Sequence, residues 1–198
     1  MDPDVVYEMR IGMLSWESLY STKVGGVAPH VSELSEALAR RGHEVHVFTR
    51  RGDFGSYDEI NGVHYQRVDF DQSGDILAQM DRMCDAMVDR FLHVQKLFGK
   101  FDLVHGHDWH PVTALSRIKA DHGIPYVITL HSTEWGRCGN NCSWDRVPRE
   151  IAHREWLSGF EAAMVITTTQ RMKDELTMLY QIPPEKIEII PNGLIVGS

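Results

Sequence analysis

Between Met9 and Arg51 the chain alternates strand-like and helix-like patterns in an order that permits few folds. Arg10-Ile11-Gly12-Met13-Leu14 is a short apolar run bounded by polar residues, the mark of a buried strand. Val27, Val31, Leu34 and Leu38 then recur at intervals of four, three and four, the apolar stripe of a helix. That helix closes at Arg40-Arg41-Gly42, with basic residues in the last turn and glycine just beyond. Glu44 to Thr49 follows as a second strand. Strand, loop, helix and strand make one βαβ unit with a right-handed crossover. The turn Lys23-Val24-Gly25-Gly26 falls where the helix begins, so backbone N–H groups and the positive helix end suit an anion there, phosphate above all. Lys23 adds a positive charge. Taken alone, the same residues more often make only a tight turn with a solvated lysine.

Two glycine signatures are missing. No Gly-x-Gly-x-x-Gly follows the first strand, which argues against a nicotinamide or flavin dinucleotide site. Gly-Lys-Ser/Thr occurs nowhere, which excludes a P-loop. The 198 residues suit one good-sized domain, or one plus a fragment of another, and 42% hydrophobic residues supply a real core. A net charge of −8 without a basic stripe disfavours nucleic acid and anionic membrane as partners. The longest apolar run, Ala162 to Ile166, is far too short to span a bilayer. The acidic N-terminus, residues 1–8, lacks a signal peptide's apolar region and reads as a flexible tail. Three cysteines make no disulfide framework, so a reducing cytoplasm is the expected setting.

Further along, Tyr57–Ile60 and Val63–Val68 flank Asn61-Gly62, a hairpin signal, and one of the two runs should join the sheet as its edge. The periodic segment Asp75–Phe98 predicts a long helix with Ile76, Met80, Met83, Met87, Val88, Phe91 and Leu97-Phe98 on one side. Its methionines suit core filling better than a plastic binding groove. Asp102–His105 reads as a strand, and His107 to Pro111 opens a helix to about Asp121. Tyr126–Leu130 is a buried strand, followed by a long irregular loop from His131 to Val147, a length usually functional or disordered. Pro148 begins a helix to about Ala163, Met164–Thr167 is a strand, and Thr168 or Thr169 caps a helix through Tyr180. Lys186–Ile190 is the last strand before Pro191-Asn192-Gly193. Such alternation predicts an α/β, mostly parallel sheet covered on both faces. The Lys23 turn, the His107 turn and the His131 loop each follow a strand, so all three gather at the carboxyl edge where open α/β sheets bind ligands.

Two clusters carry reactive groups. His105-Gly106-His107-Asp108-Trp109-His110 looks like a metallo-hydrolase His-x-His-x-Asp-His, but Asp falls one place early and the antiparallel strands of that fold are lacking. Zinc hydrolysis is therefore not the reading adopted. His105 suits a strand-end histidine satisfied by backbone, and His107 and Asp108 could be caps. His131-Ser132-Thr133-Glu134-Trp135-Gly136-Arg137 offers a neutral-pH donor or acceptor, a carboxylate and a planar fork for an anion. Equally, Glu134 and Arg137 pair with each other in a structural loop. Cys138 and Cys142, four apart in that loop, suit free thiols or a facultative disulfide.

Lys23-Val24-Gly25-Gly26, His107-Asp108-Trp109, Thr129-Leu130-His131 and Pro191-Asn192-Gly193 together resemble the N-terminal domain of two-domain, GT-B fold retaining glycosyltransferases, most closely the glycogen and starch synthases. The resemblance covers residues 9–193 and implies a Rossmann-like three-layer domain. It assigns Lys23, Gly25 and Gly26 to the donor diphosphate, and His131 to the transferred sugar beside Lys23 at the catalytic centre. It places Glu17, His107, Asp108 and Trp109 on the acceptor side. No metal and no cofactor are implied. The implied reaction moves glucose from ADP- or UDP-glucose to an α-glucan. A lipid or small-molecule acceptor, or a sugar- or nucleotide-binding module without turnover, remain alternatives. Family members hold the nucleotide mainly in a second Rossmann-like domain through a Glu-x7-Glu motif. Glu36 and Glu44 have that spacing but straddle a helix end and a strand, so residues 194–198 would begin the linker to a domain outside this chain.

Overall fold

The computed structural model describes residues 8–139, 141 and 145–193. The tail apart from Glu8, the Cys142 half of the disulfide question and the linker at 194–198 lie outside them. The elements are β1 Arg10–Leu14, α1 Val27–Arg40, β2 Glu44–Arg50, β3 Tyr57–Ile60, β4 Val63–Val68, α2 Ile76–Phe98 and β5 Leu103–His107. There follow α3 Val112–His122, β6 Tyr126–Thr129, α4 Glu134–Arg137, α5 Arg146–Glu161, β7 Met164–Thr167, α6 Gln170–Met178 and β8 Ile187–Ile189. The strands form one sheet in the order β3-β4-β2-β1-β5-β6-β7-β8. Every pairing is parallel except β3 with β4, whose Asn61-Gly62 turn has φ values of 53° and 76°. Both arms of that hairpin enter the sheet, β4 against β2 and β3 at the edge.

Helices cover both faces. Ile11, Met13, Val45, Val47, Val63 and Tyr65 pack with Val31 of α1 on one side. Leu14, Phe48, Val104 and Ile128 point the other way, into a larger core filled by α2, α3 and α5. Met80, Met83 and Met87 are wholly buried there, so the methionines of α2 fill core. Leu97, placed on that apolar side by periodicity, is 67% exposed, while its neighbour Phe98 turns to the rings of His46 and His64 on the sheet. Asp75 caps α2 by accepting from the Ala78 N–H at 2.9 Å, and Thr169 caps α6 by accepting from the Met172 N–H at 3.2 Å. α5 begins at Arg146, and Pro148 occupies its first turn, where a missing N–H costs no helical bond. The loop after β6 contains the short helix α4, which sequence periodicity leaves invisible.

The helix after β5 does not open at His107. His107 belongs to β5, Asp108 turns the chain with a left-handed φ of 56°, and α3 starts at Val112 behind Pro111. A side chain in that region ends the strand and cannot begin a right-handed helix. Gly106 lets α3 lie close on the sheet, since a Cβ there would collide with Leu115.

Candidate functional site

The loops after β1, β5 and β6 meet at the carboxyl edge of the sheet, as the alternation of strands and helices requires. His107 Nδ1 lies 3.3 Å from His131 Nε2, and the His30 ring, carried by α1, stands 4.6 Å from the His131 ring and 5.4 Å from that of His107. His105 stacks on His107 at 4.4 Å and is held through Nε2 to Thr129 Oγ1 at 2.7 Å, a side-chain partner and not a backbone one. Burial holds these imidazoles far below 6.5: about 4 for His30 and His131, about 3 for His105, and well below the usual value for His107. All four are neutral at pH 7, so they act as hydrogen-bonding groups and electron-pair donors. Asn192, beyond β8, lies near enough to His30 to oppose the lowering of its pKa by burial, which brings the Pro191-Asn192-Gly193 turn to the same rim.

Glu17 explains the glycine turn. Its Oε2 accepts from the N–H groups of Val24 and Gly25 at 2.6 and 2.7 Å, and the residue is 3% exposed. The anion-binding place before α1 is thus filled by the chain's own carboxylate. Lys23, Gly25 and Gly26 lie exposed on the outer side of the turn. Asp108 serves the neighbouring loop: its Oδ1 accepts from the His131 N–H at 2.8 Å, so it braces the His131 loop and caps no helix. Burial pushes its carboxyl up to about 6, against the opposing pull of the backbone N–H of His131. Trp109 is buried in the core, and its ring stacks on His110 at 4.4 Å.

Several supporting residues gave no sequence signal. Arg50, at the end of β2, donates through Nε to the Trp16 carbonyl at 2.7 Å, and its guanidinium lies 3.4 Å from the centre of the Trp16 ring. Trp16 stacks in turn on His110 at 4.7 Å, so Arg50, Trp16, His110 and Trp109 form a column behind the rim. Arg67, at the end of β4, donates through Nε to the Tyr20 carbonyl at 2.6 Å. Together the two arginines pin the loop between β1 and α1. Glu155 of α5, without solvent exposure, accepts from the Glu134 N–H at 2.9 Å, from Arg137 Nη2 at 2.7 Å and from the Tyr180 hydroxyl at 2.5 Å. Arg137 also donates to Glu134 Oε2 at 3.1 and 2.9 Å. Its fork is occupied by carboxylates of the chain, as the structural-loop reading has it, and Glu155 is the partner that reading lacked. Trp135 packs partly buried against the core. His30 sits beside Val31 on the core-facing stripe of α1; a polar residue there was the available signal.

A three-layer α/β unit with a mostly parallel sheet and a polar rim at its carboxyl edge is the architecture of one Rossmann-like half of a GT-B glycosyltransferase. A sucrose-phosphate synthase from Thermosynechococcus elongatus superposes with a TM-score of 0.73 at 17% identity, over 94% of this chain and 49% of that one. The model of glycosyltransferase family 4 matches residues 24–196, and the chain belongs to that family. It is 36% identical over 192 residues to an uncharacterized glycosyltransferase of Methanocaldococcus jannaschii, covering 94% of this chain and 46% of the relative. It is 34% identical over 205 residues to a glycogen synthase of Mycobacterium tuberculosis, covering 94% and 48%. The chain spans about half the length of these relatives. No helix among the described residues is long and apolar enough to cross a membrane.

Proposed function

We propose that the chain is the N-terminal, acceptor-side domain of a retaining glycosyltransferase that moves glucose from ADP- or UDP-glucose to an α-glucan. The observation that carries the reading is the meeting of the Lys23 turn, the His107 turn and the His131 loop on one rim, in a family 4 chain related to a glycogen synthase. The donor's base and ribose belong to a second domain facing this rim across a cleft.

Each rim residue then has a role that follows from its surroundings. Lys23 is exposed, and its long side chain serves the donor diphosphate, with the N–H groups of Gly25 and Gly26 beside it. The diphosphate takes over the N–H groups of Val24 and Gly25 that Glu17 holds, and Glu17 swings toward the acceptor. Phosphate, like carboxylate, accepts charge-assisted bonds from two adjacent N–H groups, and the charge of Lys23 favours the exchange. His131, neutral at pH 7, offers a hydrogen bond to a hydroxyl of the transferred sugar. His107 and Asp108 keep His131 and its loop in place. Trp109 shapes the acceptor side from behind, through the ring of His110. The bond from the anomeric carbon to the phosphate oxygen breaks as the acceptor hydroxyl oxygen bonds the same face. The leaving phosphate receives the hydroxyl proton, so the domain contributes position and charge stabilisation without a dedicated base.

Steady-state kinetics of the complete enzyme test the assignment. Lys23→Ala should cost about 2–4 kcal/mol in kcat/KM. Kinetics equal to the unsubstituted enzyme would remove Lys23 from the donor site.

A further inference from the structure

We propose that His30, His107 and His131 form a binding site for one divalent transition-metal ion of the zinc type. The three residues come from α1, β5 and the loop after β6, and one donor atom from each lies within 4.8 Å of the other two. A tetrahedral zinc with Zn–N bonds of about 2.1 Å separates neighbouring ligand nitrogens by about 3.4 Å. His107 Nδ1 and His131 Nε2 already stand 3.3 Å apart, and closing His30 onto them requires side-chain movement of only about 1.5 Å.

Nε2 of His30 is buried without a hydrogen-bond partner among the described residues, an uncommon condition for a buried polar atom. His107 and His131 share one contact at 3.3 Å, and the His30 ring meets both edge-on without closing a hydrogen bond through Nε2. A cation accepts an electron pair from all three at once.

An all-imidazole set suits zinc, cobalt, nickel and copper, and it suits magnesium and calcium poorly. Three protein ligands leave a fourth vertex open to water. The second group of comparable spacing, Glu44, His46 and His64, is already committed. Arg10 holds both oxygens of Glu44 at 2.7 and 2.6 Å, His46 Nε2 meets Glu44 at 2.8 Å, and His64 Nδ1 meets the Tyr57 hydroxyl at 3.0 Å. It serves as the internal control. If His131 faces the transferred sugar, as the functional reading holds, the ion occupies the sugar's place and inhibits transfer. That consequence rests on the functional reading; the binding itself does not.

The test is calorimetric titration of the tag-free chain with zinc chloride, supported by the visible absorption of bound Co²⁺. One ion per chain with Kd below about 10 µM is expected, with the intense bands of tetrahedral cobalt and no heat from Mg²⁺. His30→Gln and His131→Gln, each confirmed folded by circular dichroism, should weaken zinc by at least about 30-fold. His64→Gln should leave it unchanged. No saturable zinc binding would overturn the proposal. So would binding that survives both rim substitutions, or binding lost with His64→Gln. An inactive complete enzyme would count against the functional reading and leave this result standing.

Discussion

Glu155 is a carboxylate without solvent exposure, surrounded by three donors: the backbone of Glu134, the guanidinium of Arg137 and the hydroxyl of Tyr180. Burial pushes its pKa up while Arg137 pulls it down. Removing it leaves the Glu134 N–H and the Tyr180 hydroxyl without their acceptor, so Glu155→Ala should destabilise the chain by about 2–4 kcal/mol. Urea denaturation measures this, and a loss under about 1 kcal/mol would show the network to be dispensable. Glu155 and Arg137 also show what single residues disclose. The pairing of Glu134 with Arg137 was readable from a spacing of three, whereas Glu155 lies 21 residues from Glu134 and comes near only through the fold. His107 and His131 were legible because each stands at the end of an apolar strand run. His30 was not, because helical periodicity places it on a stripe otherwise assigned to core. Glu17 was readable as a rim residue, but its capture of two N–H groups depends on a loop conformation that no pattern encodes.

Among elements, the joint between β5 and α3 controls where His105 and His107 stand. α3 reaches the sheet only because Gly106 has no side chain, with Leu115 and Ile128 filling the space above it. Gly106→Ala should therefore strain the joint by about 1–3 kcal/mol and lower thermal stability. A melting temperature equal to that of the unsubstituted chain would mean that Leu115 moves aside at no cost. Strands and helices were largely legible as elements, since branched apolar runs marked β1, β2, β6 and β7 and the methionine period marked α2. Errors fell at boundaries. α3 was placed too early because His107-Asp108 resembles a cap, while the left-handed turn at Asp108 is a tertiary solution, fixed by the Asp108 N–H bond to the Thr129 carbonyl at 2.9 Å. The helix α4 is held by Thr133 and Glu155 and has no apolar stripe to announce it.

For the whole molecule, acid should be destabilising. His46, near Glu44, His64 and Arg10, is held down to about 4 by burial, and His110, near Arg137 and Arg50, to about 3 by the same cause. The unfolded chain protonates these imidazoles near 6.5 and the folded chain does not, so stability falls as pH drops from 6.5 toward 4. Each contributes at most about 1.4 kcal/mol per pH unit in that window. Glu44, lowered to about 2 first by its bond to Arg10, extends the loss below pH 4.5. Thermal denaturation should accordingly show a lower Tm at pH 5 than at pH 7, and an unchanged or higher Tm would show that these groups are hydrated. If this rim supplies only the Lys23 side of the donor site, as proposed, one exposed lysine and a glycine turn give little binding in water. Calorimetry of this chain with ADP- or UDP-glucose should therefore find affinity no better than roughly millimolar, about −4 kcal/mol. Micromolar binding would place the donor site within this domain. The central claim is retaining glucosyl transfer to an α-glucan across this rim. Proton NMR of the anomeric region, during reaction of the complete enzyme with ADP- or UDP-glucose and glycogen, tests it most directly. The account predicts new α-linked glucose from the α-linked donor; β-linked product, or no transfer from either donor, would contradict it.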